Sequence, residues 1–234
     1  MKVRQRTTNL LQVTRFGLVN CYLVRESDGF TLVDTGLPGT TKGILAAAAA
    51  AGAPIRRILL THAHADHVGS VDALMTGQHG MSLLISARDA RLLRKDLSLD
   101  PGEPQTKIKG SVPGTKAVPR VLVSDGELCG SLRCVSTPGH TPGHFSFLDE
   151  RDGTLLAGDA LVTVGGALRT TAACPWYFPL PMMATWHKPT AVASVARLLE
   201  LPIARIAPGH GRVVETTRAA MTAVVDAAAR KVGG

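Results

Sequence analysis

The segment THAHADH, residues 61–67, sets three imidazoles and a carboxylate within seven consecutive positions of a chain that has eight histidines in 234 residues. It follows IRRILL, residues 55–60, a short apolar run that reads as a buried strand. A hydrophobic core has no use for imidazoles at this density, because each buried ring nitrogen needs a partner, so the cluster points to metal. His62 and His64 stand two apart, and in extended backbone their side chains fall on one side. Asp66 and His67 come where the chain turns into DHVGSVDALMTG, which has helical spacing, and so face a different position. One tetrahedral ion with four protein ligands would be closed to substrate, whereas two ions about 3.5–4 Å apart can each take part of the cluster. The two-ion reading requires further ligands downstream.

Three residues of the right kind follow. His140 lies in STPGHTPGH, Asp159 in LLAGDA and His210 in APGHG. Each comes after a short apolar run and beside glycine, which lets a turn present a side chain at a strand edge. Any one of them alone would be an ordinary turn residue; with THAHADH they make a set.

The intervening sequence supplies a scaffold for such a set. LLQVTRF, VNCYLVRE, FTLVDTG, SLLIS, VLVSDGELCGSLRCVSTPGH, HFSFLDERDGTLLAGDA and IARIAPGHG read as strands, with DERDG as a hairpin turn. TTKGILAAAAAAG reads as a helix stopped at Gly52, SARDARLLRK as one opened by Ser86, and TAVASVARLLEL and TTRAAMTAVVDAAARK as two more. Residues 95–120 and TAACPWYFPLPMM (residues 171–183) lack periodicity and are expected to form lids or substrate contacts over the site. Strand groups with helices interspersed in both halves predict two sheets packed together with helices outside, an α/β fold.

Composition bounds the rest. Hydrophobic residues at 45% and charged residues at 19% are a globular balance. No window nears the roughly 18–20 apolar residues that span a bilayer, and the basic N-terminus has no apolar signal core, so the expected location is cytoplasmic, with no membrane partner. The formal charge of +8 is spread along the chain without a dense basic run, which favours anionic small molecules over nucleic acid. The four cysteines show no CxxC spacing; Cys129 and Cys134 flank GSLR and could face each other across a hairpin, though buried thiols are the plainer expectation.

The ordered set HAHADH (62–67), GH (139–140), GD (158–159) and GH (209–210), with NCYLV and LVDTG upstream, resembles the metallo-β-lactamase superfamily from about residue 10 to 215. The resemblance implies a four-layer αβ/βα sandwich over residues 1–234 as a single domain, with two mixed sheets face to face and helices outside. It implies His62, His64 and His140 on one metal ion, Asp66, His67 and His210 on a second, and Asp159 bridging them. Asp34 in VDTG would support the ligand loops. The two divalent ions would be zinc, with manganese and iron as alternatives, since all three accept such ligands. A bridging hydroxide, oriented by Asp66, would then cleave an ester, lactone, thioester or related bond in a small-molecule substrate, as lactonases and esterases do.

Within that superfamily, Asp159 sets the chain apart from true β-lactamases, and Val162 stands where the best-known homoserine-lactone lactonases carry tyrosine. Glyoxalase II resembles it in the metal pattern but adds a basic C-terminal helical region. The small YflN-like hydrolases match best. An oxidoreductase alternative is a mononuclear iron persulfide dioxygenase on the same fold, and a non-enzyme alternative is a metal-stabilised interaction protein. Trp176, Tyr177 and Phe178, with His187, are candidate substrate contacts, a core or homodimer contact being the alternative for the aromatic stretch. His144 reads as a hydrogen-bonding neighbour of the site and His79 as a surface turn residue.

Overall fold

The seven strands of the first sheet are β1 (Lys2–Thr7), β2 (Leu10–Arg15), β3 (Val19–Glu26), β4 (Gly29–Val33), β5 (Ile55–Leu59), β6 (Ser82–Ser86) and β7 (Val121–Val123), and they pair in that order in the computed structural model, which describes residues 1–76 and 80–233. β1 to β4 form an antiparallel meander, and β4 to β7 pair in parallel. The crossovers run through α1 (Thr41–Ala50), the pair α2 (Ala65–Val68) and α3 (Val71–Met75), and α4 (Ala87–Leu93). The second sheet holds β8 (Leu128–Cys129), β9 (Leu132–Ser136), β10 (Phe145–Asp149), β11 (Thr154–Gly158), β14 (Arg205–Pro208) and β15 (Val214–Glu215), with β11 and β14 parallel. A ribbon of β12 (Leu161–Val162) and β13 (Arg169–Thr170) branches from it, and α5 (Leu180–Ala184), α6 (Lys188–Arg197) and α7 (Arg218–Val232) complete the chain.

The strand sequences explain the layering. β3 is buried along VNCYLV because its two faces serve two cores. Cys21 and Leu23 face α1 together with Phe30 and Leu32, whereas Tyr22 and Val24 meet Phe145, Phe147 and Leu156 of the second sheet. A third core joins Leu148, Leu155 and Ile206 to Val195 of α6 and Met221 of α7. The order is therefore helices, sheet, sheet, helices. Each fully buried Leu or Phe in these layers contributes about 1.5–3 kcal/mol.

Local deviations from the sequence reading have local causes. Residues 65–75 form two short helices, broken at Ser70, whose φ of −112° and ψ of 8° leave the helical region; a Cβ at Gly69 would lie 2.6 Å from the Pro38 nitrogen, so glycine is needed at that close approach. Lys2–Thr7, which has no apolar periodicity, is an exposed edge strand held by its register with β2. Ser86 caps α4 by accepting from Asp89 N at 3.0 Å, and α1 stops at Gly52, whose φ is +76°, both as the sequence predicts. Cys129 and Cys134 face each other across the β8–β9 hairpin with Sγ atoms 3.5 Å apart and remain free thiols. The expectation for His79 falls outside the described residues.

Candidate metal centre

The loops that follow β4, β5, β11 and β14, with the β9–β10 loop, converge at one edge of the two sheets. They bring together all seven residues singled out in the sequence. One nitrogen each of His62, His64 and His140 forms a group with ligand atoms within 4.8 Å of one another; His62, His67 and Asp159 form a second, and Asp66, His67 and His210 a third. Asp159 lies between them, its Oδ2 at 3.4 Å from His140 Nε2 and 3.3 Å from His210 Nε2, its Oδ1 at 3.4 Å from His67 Nε2. Six of the seven are buried; Asp66 is half-exposed and marks the mouth of the site.

The hydrogen bonds behind the rings decide which nitrogen carries the proton. His67 Nδ1 donates to Asp34 Oδ2 at 2.7 Å, which leaves Nε2 as the nitrogen that faces the cluster. Thr61 Oγ1 spends its proton on Asp34 Oδ2 at 2.8 Å and therefore accepts from His62 Nδ1 at 3.0 Å. Thr185 Oγ1 donates to the Pro181 carbonyl at 2.8 Å and so accepts from His140 Nδ1 at 3.0 Å. His64 Nε2 donates to the Lys109 carbonyl at 2.9 Å, which leaves Nδ1 facing His140 Nε2 at 3.0 Å. Two lone pairs so close repel unless a cation lies against both. His62 Nε2, His67 Nε2 and Asp159 Oδ1 are buried with no hydrogen-bond partner, an expensive arrangement that metal ligation relieves. The residues fit divalent ions.

Electrostatics divides the cluster in two. Burial, with the neighbouring imidazoles, holds His62 and His140 well below the usual histidine range and lowers His64, so these rings stay neutral. Burial would lower His67 and His210 as well, but carboxylates outweigh it: Asp34, Asp159 and Asp66 hold His67 well above the usual range, and Asp159 and Asp66 raise His210 to about 9. Burial works in the opposite direction on the carboxyls, yet His210 and His67 keep Asp66 and Asp159 ionised. Counting protein groups alone, the Asp66 side of the cluster is thus a set of ion pairs, and cations entering it displace protons.

Asp89 is a residue of the site that the sequence showed only as an acidic first-turn residue of α4. It is fully buried, and all its contacts are donors: Ala63 N (3.1 Å) and Thr141 Oγ1 (2.7 Å) on Oδ2, and Gly143 N (2.8 Å) on Oδ1. It therefore ties the loop of His62 and His64 to the loop of His140. Burial pushes its pKa up to about 6 against the pull of those donors. Asp89→Asn turns an amide NH2 toward donors, and we expect affinity for metal at the His62–His64–His140 group to fall roughly 10–100-fold. Chelator competition measures this; unchanged affinity would confine Asp89 to packing.

The 95–120 segment, expected to form a lid or substrate contacts, also supports the cluster. At residues 109–111 it is scaffold: the Lys109 carbonyl holds His64, Ser111 O accepts from Ala65 N, and Gly110, with φ +80°, lies where a Cβ would overlap the His64 ring. Neither contact leaves a periodic trace, because both use backbone atoms. His144 positions Asp159, its Nε2 accepting from Asp159 N at 3.0 Å while Nδ1 donates to Thr137 Oγ1 at 2.8 Å. Asn20 Nδ2 and Tyr22 Oη donate to the Pro208 carbonyl, so NCYLV on the first sheet carries the His210 loop of the second.

The aromatic stretch divides. The Phe178 ring lies 5.8 Å from that of His210, and Trp176 and Tyr177 are exposed beside it. Trp186 is buried in the first core, donating from Nε1 to Thr106 O at 2.8 Å. His187 caps α6, its Nδ1 accepting from Thr190 N at 3.3 Å.

The family model of the metallo-beta-lactamase superfamily matches residues 14–210, a span that runs from β2 to the last histidine of the cluster. The chain belongs to the metallo-β-lactamase superfamily. YobT of Bacillus subtilis is 47% identical over 85% of each chain. The probable metallo-hydrolase YflN of the same organism is 26% identical, covering 83% of this chain and 81% of its own. The hydroxyacylglutathione hydrolase of Anaeromyxobacter dehalogenans is 37% identical over 64% of this chain, which spans 49% of that relative's length. Among solved structures, TTHA1623 in a di-iron-bound form aligns with a TM-score of 0.65 at 27% identity, covering 90% of this chain and 96% of that one. With this histidine–aspartate cluster and relatives described as metallo-hydrolases, the chain is a metallo-hydrolase of that superfamily. No helix among the described residues is long and apolar enough to cross a membrane.

Proposed function

We propose that this chain is a binuclear hydrolase of small-molecule esters, lactones or thioesters. His62, His64 and His140 would hold one divalent ion, Asp66, His67 and His210 the other, and Asp159 would reach both. The observation that carries the reading is the position of Asp159, whose two carboxylate oxygens face His67 on one side and His140 and His210 on the other. Divalent ions bound there would supply an acidified water as nucleophile and polarise the scissile carbonyl.

The chain's own residues perform the remaining tasks. Asp66, the half-exposed member, stands at the mouth with its Oδ2 3.1 Å from His210 Nε2, where its carboxylate would orient the nucleophile. His62, His64 and His140 are buried, so the inner side of the site is closed to bulk solvent. Zinc is the favoured occupant; histidine and carboxylate donors also suit manganese or iron, and TTHA1623 was solved with two irons.

Elemental analysis of protein purified without added metal or chelator is the test, followed by an ester, lactone and thioester panel. We expect close to two ions per chain and turnover on that panel. One iron per chain, with oxygen consumed on a persulfide substrate, would replace this reading with the mononuclear dioxygenase.

A further inference from the structure

Between β13, the segment after it, and the C-terminal turns of α7 lies a cleft of about 680 Å³ whose charged lining residues are Arg169, Lys188 and Lys231, with no aspartate or glutamate. Arg169, Ala173 and Lys231 also line an adjoining hollow that includes Thr170, so the two form one groove. None of the ion pairs among the described residues includes these three cations.

Two of them are not fully exposed. Arg169 and Lys188 are half-buried, and Lys188 is the first residue of α6, where the helix dipole already presents positive charge. Cations lining one concave surface without carboxylates give it a positive potential that an anion relieves. Thr170 adds a buried hydroxyl with no hydrogen-bond partner. The lining also includes two aromatic side chains: Trp176 is 89% exposed, and its ring meets that of Tyr177 edge-on at 5.8 Å between centroids. An exposed indole beside cations suits a flat or apolar body that carries a negative group.

The chain segment that lines the groove also borders the metal cluster. Thr171 N donates to the carbonyl of Ala160, next to Asp159, and Phe178, one residue past Tyr177, lies against His210. We propose that this groove binds the anionic end of the substrate, so that the enzyme selects acidic esters or thioesters, with a carboxylate, sulfonate or phosphate remote from the bond that is cut. This rests on the hydrolase reading above and adds a substrate class to it.

The first measurement needs no turnover. Calorimetric titration of the metal-loaded protein compares 2-naphthalenesulfonate with its neutral isostere methyl 2-naphthyl sulfone. A charge-assisted contact is worth roughly a tenfold change in affinity or more, so the sulfonate should bind at least that much more tightly. The double variant Arg169→Glu/Lys231→Glu should erase the difference while metal content, read by elemental analysis, stays fixed. Trp176→Ala should weaken both ligands. Equal affinity for the two ligands, or sulfonate binding that survives charge reversal, would overturn the anion site. The second measurement compares kcat/KM for neutral esters and the same esters with a terminal carboxylate. A preference for the acidic member that the double variant loses through KM supports the assignment to substrate, and equal kcat/KM overturns it. Failure to hydrolyse either ester would count against the hydrolase reading, while the titration still decides the anion site.

Discussion

Asp159→Ala is expected to abolish hydrolysis and to cost the protein close to one metal equivalent. The carboxylate accepts its position from His144, which binds the Asp159 amide, and its oxygens face His67, His140 and His210. Truncation leaves those rings turned toward an empty carboxylate position in a buried site. Removing one partner of a buried charged pair costs about 3–5 kcal/mol, which is roughly a 10²–10⁴-fold loss in metal affinity. Equilibrium dialysis against labelled zinc together with an ester assay measures both. Excess metal should not restore turnover, because the group that joins the two halves of the cluster is gone. A fully active Asp159→Ala protein would end the binuclear reading.

Asp34→Ala should fail differently. Asp34 is held at φ +59°, in the left-handed region that a non-glycine residue seldom adopts, at the end of β4. That conformation puts one carboxylate against three donors: Thr61 N at 2.8 Å, Thr61 Oγ1 at 2.8 Å and His67 Nδ1 at 2.7 Å. Through Thr61 it also sets the ring of His62, so a single side chain orients a histidine in each half of the cluster. Losing an orienting partner of this kind typically costs about 10–100-fold in metal affinity. Because every ligand atom is still present, saturating metal should recover most of the turnover of Asp34→Ala. Recovery in this variant and none in Asp159→Ala separates a residue that orients ligands from one that acts as a ligand. If excess metal left Asp34→Ala inactive, Asp34 would have a part in the chemistry itself.

The ligand candidates were legible because metal chemistry confines them to a few residue types, and because local geometry works at short range. His62 and His64 share a side from their spacing in extended backbone, and His140, Asp159 and His210 each stand beside a glycine that frees a turn after a strand. The two-layered burial of the strands was legible too, since VNCYLV, SLLIS and LLAG are apolar on both faces. β1 was not, because an exposed edge strand carries no apolar alternation and is fixed only by pairing with β2.

What the sequence determined by itself was the inventory of donors, their order along the chain, and the strands and helices that present them, all of which depend on residues close together in the chain. Tertiary structure alone decided which nitrogen of each ring faces inward. The partners responsible lie far away: Lys109 for His64, Thr185 for His140, Asp34 for His67, with Asp89 clamping Ala63 to Thr141 and Gly143. Several of those contacts use backbone carbonyls or amides, which every residue type possesses and no sequence pattern marks. The groove of Arg169, Lys188 and Lys231 has the same origin, since three basic residues spread over some sixty positions become one electrostatic feature only when β13, α6 and α7 are packed side by side.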